Sequence, residues 1–576
     1  MNQKLENILN VSLDATEDEL RKADSLSTGY NWRDNTWEII VKYSGSLESI
    51  RNRYNVYIKE LLNYYAIIVA DKATIELISQ EDVIDYVEKP KSLYYQIERT
   101  KTAACVGSVR ADGNILSGKG VIVGVIDTGI DIFDNAFRNS DGTTRILNIY
   151  DQTTGEKYDK QSIDEYIRLN EDLSGGTFSY DNAPGVDNIM HGTDVSYIAA
   201  GSLGVAYEAD IIAVKMGYSI NNQFPRTTSL MDAIDYIIRK AIEYRKPVAV
   251  NISYGCNYGA HNGNTLLESF IDDISKSYRC VICVGSGNEA DKAIHFGGII
   301  NTGQVQTAYL SVGEYQSAMD IQIWKNYWDT IDVMLINPRG EQIGIITEGK
   351  INRYETYNTE IITLLGEPSP YNIYQEIYIN LIPKTDYILS GIWQIVLMAG
   401  SIRAGEYNIW LPSSQALGYA TAFNNPTADG TITIPATARN CIAVGAYNAY
   451  TNSYAAFSGR GFDNSIRNVN AGVKPDITAP GVDISIARQR GNDIIYRNVT
   501  GTSYAVPVVT GAAALLMQWG IVMGNDRFMY GEKLKAALID GSKPVGLVGI
   551  TRNDNHPDPR TGWGAVCLMN TLNKIL

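Results

Sequence analysis
Apolar positions along the 576-residue chain change their period three times. In the first 96 residues, strand-like runs at 37–43, 56–58, 66–70 and 83–87 are interleaved with helical spacing at 46–54 (Leu47, Ile50, Tyr54) and at 73–79. The predicted order, β-α-β-β-α-β, is that of a ferredoxin-like unit. Pro90 ends it, and residues 91–97 read as extended. From about 117 the runs become continuously apolar, at 120–126, 211–215, 248–253 and 280–284, with helical stretches at 191–201, 228–245 and 265–278 between them. Strands apolar on both faces and alternating with helices predict a doubly wound, mostly parallel α/β sheet. Between 300 and 425 the helical period disappears. Eight short strands are predicted there, at 308–312, 319–324, 331–336, 342–346, 361–365, 376–381, 393–398 and 407–411, with turns such as Asn337-Pro-Arg-Gly340 between them. That density of strands suggests a β-sandwich of jelly-roll type. The α/β pattern resumes near 430, so the β unit reads as an insertion, and the boundaries predicted are 1–96, 97–300, 301–425 and 426–576.

Charge and ends narrow the function. Acidic residues outnumber basic ones, 64 against 49, for a formal charge of −15, which opposes binding to a phosphate backbone and argues against a nucleic-acid partner. Met1-Asn-Gln-Lys-Leu-Glu-Asn7 lacks the basic-then-apolar order of a signal peptide, so cytoplasmic synthesis is expected. Residues 508–524 raise the question of a membrane span, but the run is short for one and holds Thr510, Gln518 and three glycines. A buried helix is the expectation, with no membrane span.

Cysteine and histidine exclude two further classes. Cys105, Cys256, Cys280, Cys283, Cys441 and Cys567 are too sparse to imply a disulfide framework. Cys280 and Cys283 form a C-x-x-C, yet on a strand positions three apart face opposite sides, so buried thiols are expected rather than a redox pair. The histidines are His191, His261, His295 and His556; none stands in H-E-x-x-H, and no metal ligand set is expected.

Four short motifs carry candidate chemistry, and each has a plain reading beside the functional one. Asp127-Thr-Gly129 follows a buried strand, which puts a carboxylate at the strand's carboxyl end, where α/β sheets build their sites. An aspartic protease would need a second D-T-G or D-S-G, and the chain has none. His191-Gly-Thr193 opens a predicted helix, where a histidine is as readily a structural group. Ser286-Gly-Asn-Glu289 ends a strand as many turns do. Ser503, ahead of a strongly apolar helix, is on its own more simply an N-cap than a nucleophile. Together the four make a different case. A serine hydroxyl needs a histidine to take its proton, the imidazole needs a carboxylate to fix its tautomer, and the oxyanion needs donors such as the Asn288 amide and the Ser503 N–H.

The chain order Asp, His, Ser is that of subtilisin, and the sequence resembles the subtilisin-like serine proteases at D-T-G (127–129), H-G-T (191–193), G-N (287–288) and G-T-S-Y-A-V-P (501–507). Further matches are Gly204-Val-Ala206, Ala213-Val-Lys215, Val250-Asn-Ile-Ser-Tyr-Gly255 and Lys474-Pro-Asp-Ile-Thr-Ala-Pro-Gly481. The resemblance covers roughly 117–300 and 430–570. It implies a subtilisin-like fold and serine endopeptidase activity, with Asp127, His191 and Ser503 as the triad and Asn288 in the oxyanion hole. Ser253, Tyr254 and Gly255 would pair with an extended substrate, and Gly285, Ser286 and Gly287 would form the opposite wall of the S1 pocket. Two positions depart from many relatives: Asp194 replaces a second histidine and Tyr504 a methionine. Asp194 would cap the helix or tune the imidazole, and Tyr504 would lower sensitivity to peroxide.

The resemblance also reaches the extra units. Residues 1–96 look like a subtilase prodomain, with autocleavage expected near Tyr95 or Gln96 and the freed prodomain as a bound inhibitor. A prodomain with an inserted jelly roll most resembles the Csp-type subtilases of clostridial spores, whose substrate is a cortex-lytic zymogen; this implies a protein or peptide substrate and spore association. The jelly roll is expected to rigidify rather than to bind carbohydrate. No cofactor is implied and calcium is left open, since the acidic stretch 181–187 reads as solvated turns. The alternative is a proteolytically silent scaffold held by its prodomain.

Overall fold
The computed structural model describes residues 4–17, 20, 29–61, 64–89, 104–105, 110–111, 114–171, 183–219, 222–346, 351–367, 372–462, 473–490, 493–546 and 557–576. The chain divides into two compact units, Met1–Tyr95 and Gln96–Leu576. Tyr95 and Gln96, the expected cleavage positions, lie outside the described residues.

In the first unit, Thr36–Tyr43 pairs antiparallel with Tyr65–Ala70 on one side and Ile84–Glu88 on the other, and Tyr57–Leu61 extends the sheet beyond Tyr65–Ala70. Helices Glu48–Tyr54 and Lys72–Ile78 make the connections, so from Thr36 to Glu88 the observed element order is the one the periodicity predicts, with Tyr30–Asn31 added as a short fifth strand beside Thr36–Tyr43. Asp71 caps the second helix, its carboxylate accepting from the Thr74 N–H at 2.9 Å. A helix not anticipated from the sequence, Asn7–Asp14, adds Leu9 and Leu13 to the core built by Ile39, Val41, Ile68 and Ile75.

The second unit is organised on a nine-stranded sheet. Its order is Lys157–Asp159, Ile146–Asp151, Asp210–Lys215, Ile122–Asp127, Val248–Ile252, Cys280–Gly285, Ile442–Asn448 and Ser453–Tyr454, with Ile477–Pro480 also paired to Ile442–Asn448. The central pairs are parallel. Along Ile122–Asp127, Val123 and Val125 enter one core while Ile122 and Ile126 enter the other. Helices His191–Ala200 and Thr502–Met517 cover the first face, Thr227–Tyr244 and Leu266–Ser277 the second, which is the doubly wound arrangement expected. The apolar 502–522 stretch passes through the middle of the first core with 89% of its most apolar window buried, so its hydropathy is that of a central helix. Cys280 and Cys283 lie in opposite cores, and burial pushes both thiols up to about 12. One disulfide, Cys105–Cys567, joins the start of this unit to its last helix, Leu568–Ile575.

Between the two α/β segments, two antiparallel sheets face each other over a single apolar core. One runs His295–Ile299, Glu406–Trp410, Met319–Asn326, Tyr374–Pro383, Thr359–Leu365, Ile351–Glu355; the other Gln342–Ile343, Ile331–Ile336, Gly391–Ala399, Val305–Val312, Ala422–Phe423. Its first strand begins at His295, upstream of the position where the lost helical period marks the change.

Candidate active site
Asp127 is the last residue of its strand and 1% exposed. Its Oδ1 sits 2.6 Å from Nδ1 of His191, the first residue of helix His191–Ala200, and also accepts the Thr128 N–H at 2.8 Å. A carboxylate only accepts, so Nδ1 carries the proton and Nε2 keeps its lone pair. The imidazole is raised above its ordinary value of 6.5. Burial is the largest influence and pulls it down, but the Asp127 charge and hydrogen bond, with Asp187 and Asp194 behind them, outweigh it.

Two loops must meet closely for this pairing. A Cβ on Gly192 would lie 2.3 Å from the Gly129 carbonyl oxygen and 2.9 Å from the Asp127 Cβ, so no side chain fits there. Asp187 holds the approach. Its Oδ1 accepts from Thr128 Oγ1 at 2.8 Å and the Met190 N–H at 2.8 Å; its Oδ2 accepts from the Thr193 N–H at 2.8 Å and Thr193 Oγ1 at 2.7 Å. Thr128 Oγ1 also accepts the Gly192 N–H at 2.9 Å. The threonines of D-T-G and H-G-T thus share one fully buried carboxylate. This corrects the reading of Asp187 as part of a solvated turn; a carboxylate four residues ahead of a helix-opening histidine is the signal that was present. Among the described residues, no group of three or more His, Cys, Asp or Glu side chains is placed to hold a metal ion.

Ser503 is the second residue of helix Thr502–Met517, and Gly501, not Ser503, occupies the N-cap. The serine amide therefore belongs to the first turn, whose N–H groups have no helical acceptor. Pro507 lies four residues on and has no N–H, which leaves the Ser503 carbonyl without its helical donor; Ser253 Oγ donates to it instead at 3.3 Å. Asn251 Nδ2 in turn donates to Ser253 Oγ at 3.0 Å. Ser503 Oγ donates to the Ser253 carbonyl at 3.5 Å rather than to His191. Asn288 Oδ1 accepts from the Thr502 N–H and from Thr502 Oγ1, both at 3.0 Å.

The expected substrate walls converge as well. Ser253, Tyr254 and Gly255 leave the end of strand Val248–Ile252, and Gly285, Ser286 and Gly287 leave the neighbouring strand Cys280–Gly285. Ser286 is fully buried: its hydroxyl lies 3.2 Å from Ser458 Oγ, its N–H donates to the Val444 carbonyl at 2.9 Å and its carbonyl accepts the Thr433 N–H at 3.0 Å, so it supports the wall from behind. Thr433, unmarked in the sequence, stands between the walls: a Cβ on Gly255 would meet its Oγ1 at 2.5 Å, and one on Gly287 its Cγ2 at 2.5 Å. Tyr504 packs its ring 5.3 Å from that of His191, and burial lifts its phenol to about 12.

Residues 118–369 and 404–564, together well over half the chain, match the subtilase family, and residues 3–91 match the Csp protease B prodomain. The Clostridium perfringens CspB protease structure is 34% identical with a TM-score of 0.75, over 83% of this chain and 97% of that one. Shorter similarities reach the subtilase-type proteinase RRT12 of Saccharomyces cerevisiae (33% identity over 128 residues) and subtilisin-like protease 10 of Arthroderma otae (34% over 120). These two stretches cover 22% and 21% of this chain and span 23% and 27% of the relatives' own lengths. The chain belongs to the subtilase family of serine proteases.

Proposed function
We propose that the protein is a serine endopeptidase in which Ser503 attacks the scissile carbonyl, His191 moves the proton, Asp127 orients His191, and Asn288 with the Ser503 N–H binds the oxyanion. The observation that carries this reading is the 2.6 Å Asp127–His191 bond, which leaves Nε2 as the base. Ser503 Oγ loses its proton to Nε2 as it bonds to the carbonyl carbon. The same proton then passes to the leaving amine as the C–N bond breaks, and water repeats the sequence to release the acid. Hydroxyl rotation from the Ser253 carbonyl to His191 precedes attack; catalytic bonds in substrate-free sites are commonly this loose.

On this reading the first 96 residues are a prodomain that the enzyme removes from itself near Tyr95 or Gln96 and that remains as an inhibitor. Ser253 to Gly255 pair with the substrate backbone, Gly285 to Gly287 face them, and the β insert is a jelly roll that stiffens the cleft. Two contacts support the stiffening role: Glu289, next to Asn288, accepts from the Ser414 N–H and Oγ, each at 3.1 Å, and the Gly259 N–H donates to Gln322 Oε1 at 2.9 Å. The CspB similarity supports a protein zymogen of the spore cortex-lytic type as substrate. Mass spectrometry of wild type and Ser503→Ala tests the processing step: an N-terminus near residue 96 in the wild type alone is expected, and an intact wild-type chain in an active preparation contradicts it.

A further inference from the structure
We propose that Asp194, with Arg488 and Arg497, is a positioning residue that locks the three chain segments bearing Asp127, His191 and Ser503 to one another; this rests on the peptidase reading above. Asp194 lies one turn below His191 on the same helix and is fully buried. Its two oxygens meet Arg488 Nε at 3.0 Å and Arg497 Nη1 at 2.9 Å. Neither N–H points along its contact, so the attraction is between charges rather than through in-line hydrogen bonds.

Both arginines sit on one hairpin, Ile484–Arg490 paired with Asp493–Val499, which runs directly into Gly501 and Ser503. Arg488, 2% exposed, continues from Asp194 to Asp134 Oδ2 at 3.3 Å, and Asp134 lies on the loop that follows Asp127. The Tyr197 hydroxyl, on the histidine helix, donates to the Ala487 carbonyl of the same hairpin. The charges therefore run from the Asp127 segment through Arg488 to the His191 helix and through Arg497 to the strand that precedes Ser503. Breaking one partner of a buried ion network leaves an uncompensated charge, so these contacts resist relative movement of the three segments.

The charges facing Asp194 are Arg488 and Arg497 on the hairpin, Asp187 on the preceding loop, His191 on its own helix, and the Tyr504 phenol on the nucleophile helix. Asp194 in turn adds to the negative field at His191. Removing its charge weakens that field, and the acid limb of kcat/KM moves to lower pH. A merely structural loss would shrink the profile without moving it.

The test uses the full chain with a chromogenic peptide. Asp194→Asn is expected to lower kcat by about ten- to a hundredfold with KM little changed, as a displaced base does, and to move the acid limb down. Arg497→Met should lower kcat in the same way, Arg497→Lys should restore most of it, and Arg497→Met should add little in the Asp194→Asn background. Should Asp194→Asn not fold, the Arg497 pair decides, since that side chain is 39% exposed. Wild-type kcat in Arg497→Met, or an Asp194→Asn profile unmoved in pH, overturns the proposal. A wild-type chain without activity would instead sink the peptidase reading on which it rests.

Discussion

Asn288 is held by Thr502, whose backbone N–H and hydroxyl both donate to Asn288 Oδ1 at 3.0 Å. A backbone N–H only donates, so this pair fixes which end of the amide is oxygen and keeps Nδ2 at the helix start, where a Cβ on Gly501 would meet it at 3.5 Å. Asn288→Ala should therefore lower kcat by about 10²–10³-fold with little change in KM, the size seen when one oxyanion donor is removed. Thr502→Val, which deletes one of the two anchors, should cost about tenfold. Steady-state kinetics on a chromogenic peptide check both.

Acidification should switch the enzyme off above the ordinary histidine range. His191 is raised above 6.5, and its protonated form has no lone pair to take the Ser503 proton. The rate is lost as pH falls through the raised value and recovers above it, so kcat/KM should show a single acid inflection above pH 6.5. An inflection below 6.5 would mean that the three carboxylates around the ring do not act as the geometry requires.

Gly192→Ala places a methyl carbon 2.3 Å from the Gly129 carbonyl oxygen. The His191 helix must move to admit it, and displacement of a base by an ångström costs on the order of a hundredfold. Labelling by a fluorophosphonate probe should slow accordingly, while a thermal melt should register a smaller change because the helix remains packed along its length.

The Cys105–Cys567 bridge closes a loop across 462 positions of the sequence. Cys567→Ser should lower stability by about 2–4 kcal/mol under oxidising conditions. In excess dithiothreitol the variant and wild type should share one urea midpoint. Equal midpoints without reductant would show that the bridge contributes nothing.

Much of this was readable in the chain. Continuous apolar runs such as 120–126 and 280–284 mark strands with a helical layer on each face, because only burial on both sides makes such a run favourable. The motif residues mark the site because small residues at Gly129 and Gly192 must accompany a close approach of loops. What stayed hidden depends on long-range contact. Asp187 looks like a turn residue until the fold brings Thr128 and Thr193 onto its carboxylate. Thr433 lies far along the chain from Gly255 and Gly287, and only the fold places it between them. Arg488 gives no sign in sequence that a guanidinium will be buried, since its partners Asp134 and Asp194 come from segments several hundred residues away. Helix Asn7–Asp14 is too short for its two buried leucines to set a period.

The central claim is that Ser503, activated by His191, is the nucleophile. Incubating wild type and Ser503→Ala with a fluorophosphonate probe tests it most directly, because the probe phosphonylates only a serine whose proton has a base to receive it. The account predicts one label per wild-type chain freed of its prodomain, located on Ser503, and none on the variant. Equal labelling of the two proteins, or a wild type that hydrolyses peptide yet takes no label, would contradict it.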